Sequence, residues 1–202
     1  MRRRAALLVA LAAACLCVAA RAEPVAQTGP QQLVAAARKQ VGVTVAYDPN
    51  YTKIAFPMGD VPRERGVCTD VIVRAYRDAL GVDLQALVNR DMRGNFKAYP
   101  HNWGLPGPDA SIDHRRVPNL QTFFARQGAS LPVTTAKADY LPGDVVSQML
   151  PGHLPHIVIV SDEKGATGAP LVIHNIGRGA KEEDSLFEYE VTGHYRYAPP
   201  RQ

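Results

Sequence analysis

Arg65-Gly66-Val67-Cys68-Thr69-Asp70, running on into Val71-Ile72-Val73-Arg74-Ala75-Tyr76, carries the most informative local signal in this chain. Gly66 interrupts the backbone ahead of it, Asp70 falls in the first turn of a helix that opens at Cys68, and Gly81 supplies the C-terminal stop. Counting from Cys68, Ile72, Ala75 and Ala79 recur at helical spacing. The thiol therefore heads the face that packs on a core, and Arg74, Arg77 and Asp78 are expected on the solvated side. A helix N-terminus presents unpaired N–H groups and the positive end of the dipole, which favours thiolate over thiol. Cys68 thus reads either as a nucleophile or as a small buried hydrophobe.

Met1 to Ala22 reads as a secretory signal peptide: Arg2-Arg3-Arg4, an apolar run from Ala5 to Ala19, and Ala20-Arg21-Ala22 before Glu23. Export across the inner membrane to the periplasm follows, with residues 23–202 left as a single domain. Cys15 and Cys17 depart with the leader, so Cys68 has no cysteine to pair with. The chain has 23 Lys+Arg against 19 Asp+Glu, and losing Arg2, Arg3, Arg4 and Arg21 leaves 19 of each sign. A balanced mature chain gives no ground for nucleic-acid binding. No other apolar run is long enough to span a bilayer, so the expectation is a monomer with no integral membrane segment after cleavage.

Helical spacing predicts further helices over Gln31–Val41, Leu84–Met92 with Asp83 as N-cap, and from about Asn119 to Gly128. Residues 93–117 are rich in Pro, Gly and aromatics and read as a long loop. Past Leu131 the pattern changes to short β-rich runs at 144–147, 156–160, 171–174 and 187–191. Helices first and strands afterwards predict an α+β fold, with the N-terminal helices on one face of an antiparallel sheet from the C-terminal half.

A thiol nucleophile needs a base, and the base needs an orienting group. His156 begins one strand run and His174 ends the next, so antiparallel neighbours bring both imidazoles to one edge of the sheet. This order resembles that of NlpC-type cell-wall cysteine peptidases: a cysteine at a helix start, Pro142-Gly143-Asp144-Val145-Val146, then Pro155-His156-Ile157-Val158-Ile159-Val160. Those are papain-like enzymes that hydrolyse amide bonds in peptidoglycan stems. More closely, four motifs resemble a bacterial family of exported proteins of unknown function near that group. They are Gly66-Val67-Cys68-Thr69-Asp70-Val71, Ile112 to Asn119, Val172-Ile173-His174-Asn175-Ile176-Gly177 and Thr192-Gly193-His194-Tyr195-Arg196-Tyr197. The resemblance implies Cys68 as nucleophile, His156 as general base and His174 as orienting group, with Asn175 the alternative for the third role. The chain departs from the cell-wall enzymes in having Thr69-Asp70 where they carry Ser-Gly, and Val158 where a glycine often stands.

The Cys68 N–H is a natural oxyanion donor, with Tyr47 or Tyr51 as a second. Asp113-His114-Arg115-Arg116 reads either as an ion network or as an arginine fork for the carboxylate of a peptide. Trp103 and Tyr99 either wall the cleft or pack the loop. The competing chemistry is zinc on His153, His156 and His174 or Asp113, but strand spacing sends His153 and His156 to opposite faces, and no metal or other cofactor is expected. The competing class is a catalytically silent module that binds peptidoglycan or a peptide in the same cleft.

Overall fold

The computed structural model describes residues 28–199, so the leader expected over residues 1–22 lies outside the described residues. The first elements are α1 (Gly29–Arg38), β1 (Ala46–Tyr47), β2 (Arg65–Gly66), α2 (Cys68–Leu80), α3 (Leu84–Asn95) and α4 (Val117–Arg126). There follow β3 (Ser130–Leu131), β4 (Val145–Leu150), β5 (Leu154–Lys164), β6 (Pro170–Asn175), β7 (Ala180–Glu183) and β8 (Glu190–Tyr195). The last six strands form one antiparallel sheet in the order β3-β8-β4-β5-β6-β7, while β1 and β2 make a separate two-residue parallel pair. The fold is α+β, with the helices on one face of the sheet.

Side chains alternate across β5 with the period of a strand. Ile157 and Ile159 join Leu33, Val34, Val71, Ile72 and Tyr76 in the core between sheet and helices. Val158 and Val160 join Tyr140, Val146, Val172 and Leu186 in a smaller cluster on the opposite face. That second cluster explains one misplaced strand. Residues 187–191 were expected to pair, but Leu186 is buried in the far-face cluster and Phe187 packs edge-on against Tyr140, at 5.3 Å between centroids. The segment covers the sheet there, and β8 begins only at Glu190. The edge strand β7, Ala-Lys-Glu-Glu, carries no apolar alternation and so left no sequence signal.

Local chemistry places the helix ends. The Asp83 carboxylate accepts the Gln85 N–H at 3.0 Å and caps α3, which extends to Asn95. Gly81 closes α2 with φ +67°, a left-handed conformation that glycine adopts without a Cβ penalty. Of the side expected to be solvated on α2, Asp78 is exposed and Arg77 partly so, but Arg74 is covered. Arg74 is 0% exposed, because the loop ahead of β2 wraps over it. Its guanidinium meets Asp60 at 2.9 Å and donates to the carbonyls of Val61 and Arg65 at 3.0 Å each. The pairing and the carbonyls satisfy a charge that burial would otherwise make costly.

The head of α2 is held by one buried ion pair. Arg115 lies in a 3-10 turn, Asp113–Arg115, and its Nε and Nη2 each reach the Asp70 carboxylate at 2.9 Å. Asp70 also accepts the Val67 N–H at 2.7 Å, which satisfies one of the free donors of the helix start. Gly66 is required beside it, since a Cβ there would stand 2.8 Å from Asp70 Oδ2. Asp70→Ala leaves the Arg115 guanidinium buried without a counter-charge, which is expected to cost about 3–5 kcal/mol in urea unfolding. The double variant Asp70→Ala/Arg115→Met should lose clearly less than the two single losses summed. Strict additivity would show that the pair does not couple.

Candidate active site

Cys68 is the first residue of α2 and is 4% exposed. The backbone N–H groups of Ile157, Thr69 and Cys68 itself point at its sulfur and favour the thiolate. Desolvation outweighs them, helped by the nearby Asp70 charge, and burial pushes the thiol up to about 12. The expectation that the helix terminus makes a thiolate here is therefore corrected: the resting group is a neutral thiol, because water is excluded from it.

β5 and β6 are antiparallel neighbours, with Ile159 opposite Ile173 and Val160 opposite Val172. His156 and His174 consequently share a face, and His156 Nε2 lies 2.8 Å from His174 Nδ1 with the rings edge-on. His174 Nε2 in turn lies 3.0 Å from Glu183 Oε2 on β7. Burial, reinforced by the neighbouring imidazole, drives His156 down to about 3. Burial also lowers His174, against the opposing pull of Glu183. Both rings are neutral at pH 7.

The structure does not bring the imidazoles and the thiol together: His156 and His174 share the sheet face of Val158, Val160 and Val172, whereas Cys68 packs on the face of Ile157 and Ile173, and neither imidazole lines the cleft at Cys68. Gln148, directly opposite His156 on β4, donates to the Ser185 and Leu186 carbonyls, which places this side of the ladder toward the far face. Cys68 approaches from the helix side and meets the sheet at the N–H of Ile157, the residue after His156. Among the described residues no hydrogen bond joins the sulfur to either ring, and His156 engages His174 through Nε2 alone. Asn175 faces the helices. Its amide donates to Gly66 O at 3.0 Å and Ala46 O at 3.3 Å, so it braces the segment ahead of Cys68 and meets neither imidazole.

A cleft of about 590 Å³ opens at Cys68, with Tyr47, Tyr51, Trp103, Arg116 and His153 among its walls. Pairing of β1 with β2 sets Tyr47 opposite Gly66, two residues from the thiol, and burial pushes its hydroxyl up to about 12. Arg116 lies 4.0 Å over the Trp103 ring and makes a single 3.2 Å contact to Asp113. Arg115 also borders the cleft, but its fork is occupied by Asp70. Asp113 and His114 are buried and do not line the cleft, and His114 Nδ1 is sealed without a partner. A larger, more apolar cavity of about 790 Å³ lies by Leu80–Val82, Leu141–Gly143 and Tyr197–Pro199 and contains none of these side chains.

The zinc arrangement does not assemble. His153 sits in the exposed turn between β4 and β5 with φ +59°, while His156 points inward. Among the described residues no group of three or more His, Cys, Asp or Glu is arranged to hold a metal ion. Glu183 is the site residue that sequence reasoning missed, since only the strand register connects it to His174.

Comparison with known proteins places residues 34–197 in register with a family described as a domain of unknown function, DUF1287. The uncharacterized protein YijF of Escherichia coli (strain K12) is 54% identical over 161 residues, spanning 80% of this chain and 78% of the relative. Among solved structures, NlpC1 from Trichomonas vaginalis aligns with 87% of this chain at 12% identity and a TM-score of 0.45. The chain spans 46% of the length of that protein. Among the described residues no helix is long and apolar enough to cross a membrane.

The buried imidazoles predict an acid-labile fold. His156 at about 3 and His114 at about 4, both lowered mainly by burial from 6.5, bind fewer protons folded than unfolded. Their contribution is thus complete above about pH 6.5 and is lost as pH falls toward the folded values. Each proton adds a slope of about 1.4 kcal/mol per pH unit. Urea unfolding from about pH 7 to about pH 5, above the carboxylate range, should show the wild type losing stability on acidification. His114→Gln should shed one proton's worth of that slope; an unchanged slope would contradict the assignment.

Proposed function

We propose that this chain, which belongs to the DUF1287 family of domains of unknown function, is an exported thiol-dependent amide hydrolase that acts on peptidoglycan stem peptides in the periplasm. The observation that carries the reading is the hydrogen-bonded series His156–His174–Glu183, which ends beside the strand residue whose N–H meets the Cys68 sulfur. The nucleophile on the helix side of β5 and a base with its orienting groups on the other side thereby meet at neighbouring residues of one strand end, 156 and 157, which supports the reading. In the resting structure no hydrogen bond joins the sulfur to the ring among the described residues, so turnover requires the start of β5 to turn His156 toward Cys68.

The neutral thiol and neutral imidazole fix the order of events. Once His156 is turned to the sulfur, the Cys68 proton passes to its Nδ1, the ring nitrogen that His174 does not engage, as the sulfur attacks the amide carbon. The tetrahedral oxyanion is held by the Cys68 N–H and by the Tyr47 hydroxyl, which is protonated at neutral pH and so a donor. His156 returns the proton to the departing nitrogen as the C–N bond breaks and leaves a thioester. Water then attacks the thioester, gives a proton to His156, and the C–S bond breaks as the thiol recovers it. Arg116, braced on Trp103, holds a carboxylate of the peptide, while Arg115 serves the helix head.

A second reading has its own observation. A thiol pushed up by burial and unbonded to either ring is what a silent binding module would carry, with Tyr47, Trp103 and Arg116 gripping peptidoglycan or a peptide. Mass spectrometry of purified muropeptides after incubation separates the two. Hydrolysis is expected with the wild type and none with Cys68→Ala, while His156→Gln should slow turnover about 10²–10⁴-fold. Muropeptides retained equally by wild type and Cys68→Ala, and left intact by both, would establish the binding module.

A further inference from the structure

The two imidazoles and Glu183 form a chain in which every proton position follows from one end. An ionised carboxylate only accepts hydrogen bonds, so Glu183 Oε2, at 3.0 Å, requires the proton of His174 to sit on Nε2. With that ring neutral, its Nδ1 is a bare lone pair and must accept. The 2.8 Å contact then requires His156 to donate from Nε2, which leaves His156 Nδ1 as the unprotonated nitrogen. Reversing the first member reverses all of them: a donor in place of Glu183 puts the His174 proton on Nδ1 and forces the His156 proton onto its own Nδ1.

We infer that Glu183 is a positioning residue that sets the tautomer of both imidazoles and thereby presents His156 Nδ1 as the free base. The inference deepens the hydrolase reading and rests on it for its purpose, although the proton order itself does not depend on turnover. Strand pairing builds the arrangement. β7 is the neighbour of β6, with His174 opposite Lys181, so the Glu183 side chain returns along the same face two residues further on. The other charged groups facing His174 are Glu188 and Lys181, and Lys181 Nζ stands 3.6 Å from Glu183 Oε1, which leaves Oε2 for the ring. Burial keeps both rings neutral, the condition the relay needs. Glu183 is itself 39% exposed on its side chain, so its replacement removes no packed core group.

Histidine side-chain ¹⁵N NMR at neutral pH reads the tautomers directly. In the wild type both His156 and His174 should carry the proton on Nε2. Glu183→Gln, whose amide oxygen still accepts, should keep that order, and Glu183→Lys, which can only donate, should move both protons to Nδ1. Turnover of muropeptides by Glu183→Lys should fall about a hundredfold, as expected when a general base is misprotonated, with Glu183→Gln near wild type. A wild-type His174 protonated on Nδ1, or an order unaltered in Glu183→Lys, overturns the assignment whatever the activity. The expected tautomer switch in a protein that never hydrolyses muropeptides would sink the hydrolase reading and leave the relay standing.

Discussion

The bidentate contact between Asp70 and Arg115 is the constraint from which the rest of the site takes its position. It joins residues 45 apart in sequence, both buried, and fixes the first turn of α2 against the 3-10 turn that precedes α4. A buried ion pair of this kind adds little net stability over an apolar pair of the same shape. Its effect is on placement. Asp70 also takes the Val67 N–H, Gly66 gives up a side chain to make room for the carboxylate, and Asn175 grips the Gly66 carbonyl from the sheet. Helix start, connecting segment and strand end therefore meet at one point, and Cys68 is the residue that emerges there.

Features encoded by neighbouring residues were legible in the sequence. The α2 start at Cys68, its stop at Gly81 and the Asp83 cap all depend on contacts within a few positions, and each forms as expected. The adjacency of His156 and His174 was also readable, because consecutive antiparallel strands bring the start of one beside the end of the next. What escaped depended on partners without a pattern. Arg74 looked solvated because its acceptors are carbonyls of an irregular loop. For Arg115 the ion-network reading held and the ligand fork did not, although nothing local announces Asp70 as its partner. Glu183 was invisible because an edge strand of lysine and glutamate shows no apolar period.

The thiol illustrates two opposing effects whose balance only the fold decides. Helix-terminal N–H groups stabilise a thiolate, and loss of water destabilises it. At 4% exposure the second effect wins for Cys68, as it does for His156, whose ring loses its water in the same way. A preformed thiolate–imidazolium pair is thus disfavoured on both sides. Chemistry at such a site requires the proton to move as the new bond forms, with the developing charge met at once by fixed donors.

That requirement bears on how a ligand is recognised. Charges around the cleft are largely committed to one another: Arg115 to Asp70, and Arg65 to Asp48 at 3.1 Å. Arg116 stands apart, because its one carboxylate contact is monodentate and a planar guanidinium stacked on Trp103 keeps donors free for a second acceptor. An anionic group bound there would be anchored on the wall that carries Trp103, with its neutral remainder extending toward the sulfur. The division separates functions that burial makes incompatible. Charge is used for grip at Arg116, which keeps partial contact with solvent, and neutral groups are kept where bonds would change, so binding a carboxylate need not bring an unpaired charge into the dry part of the site.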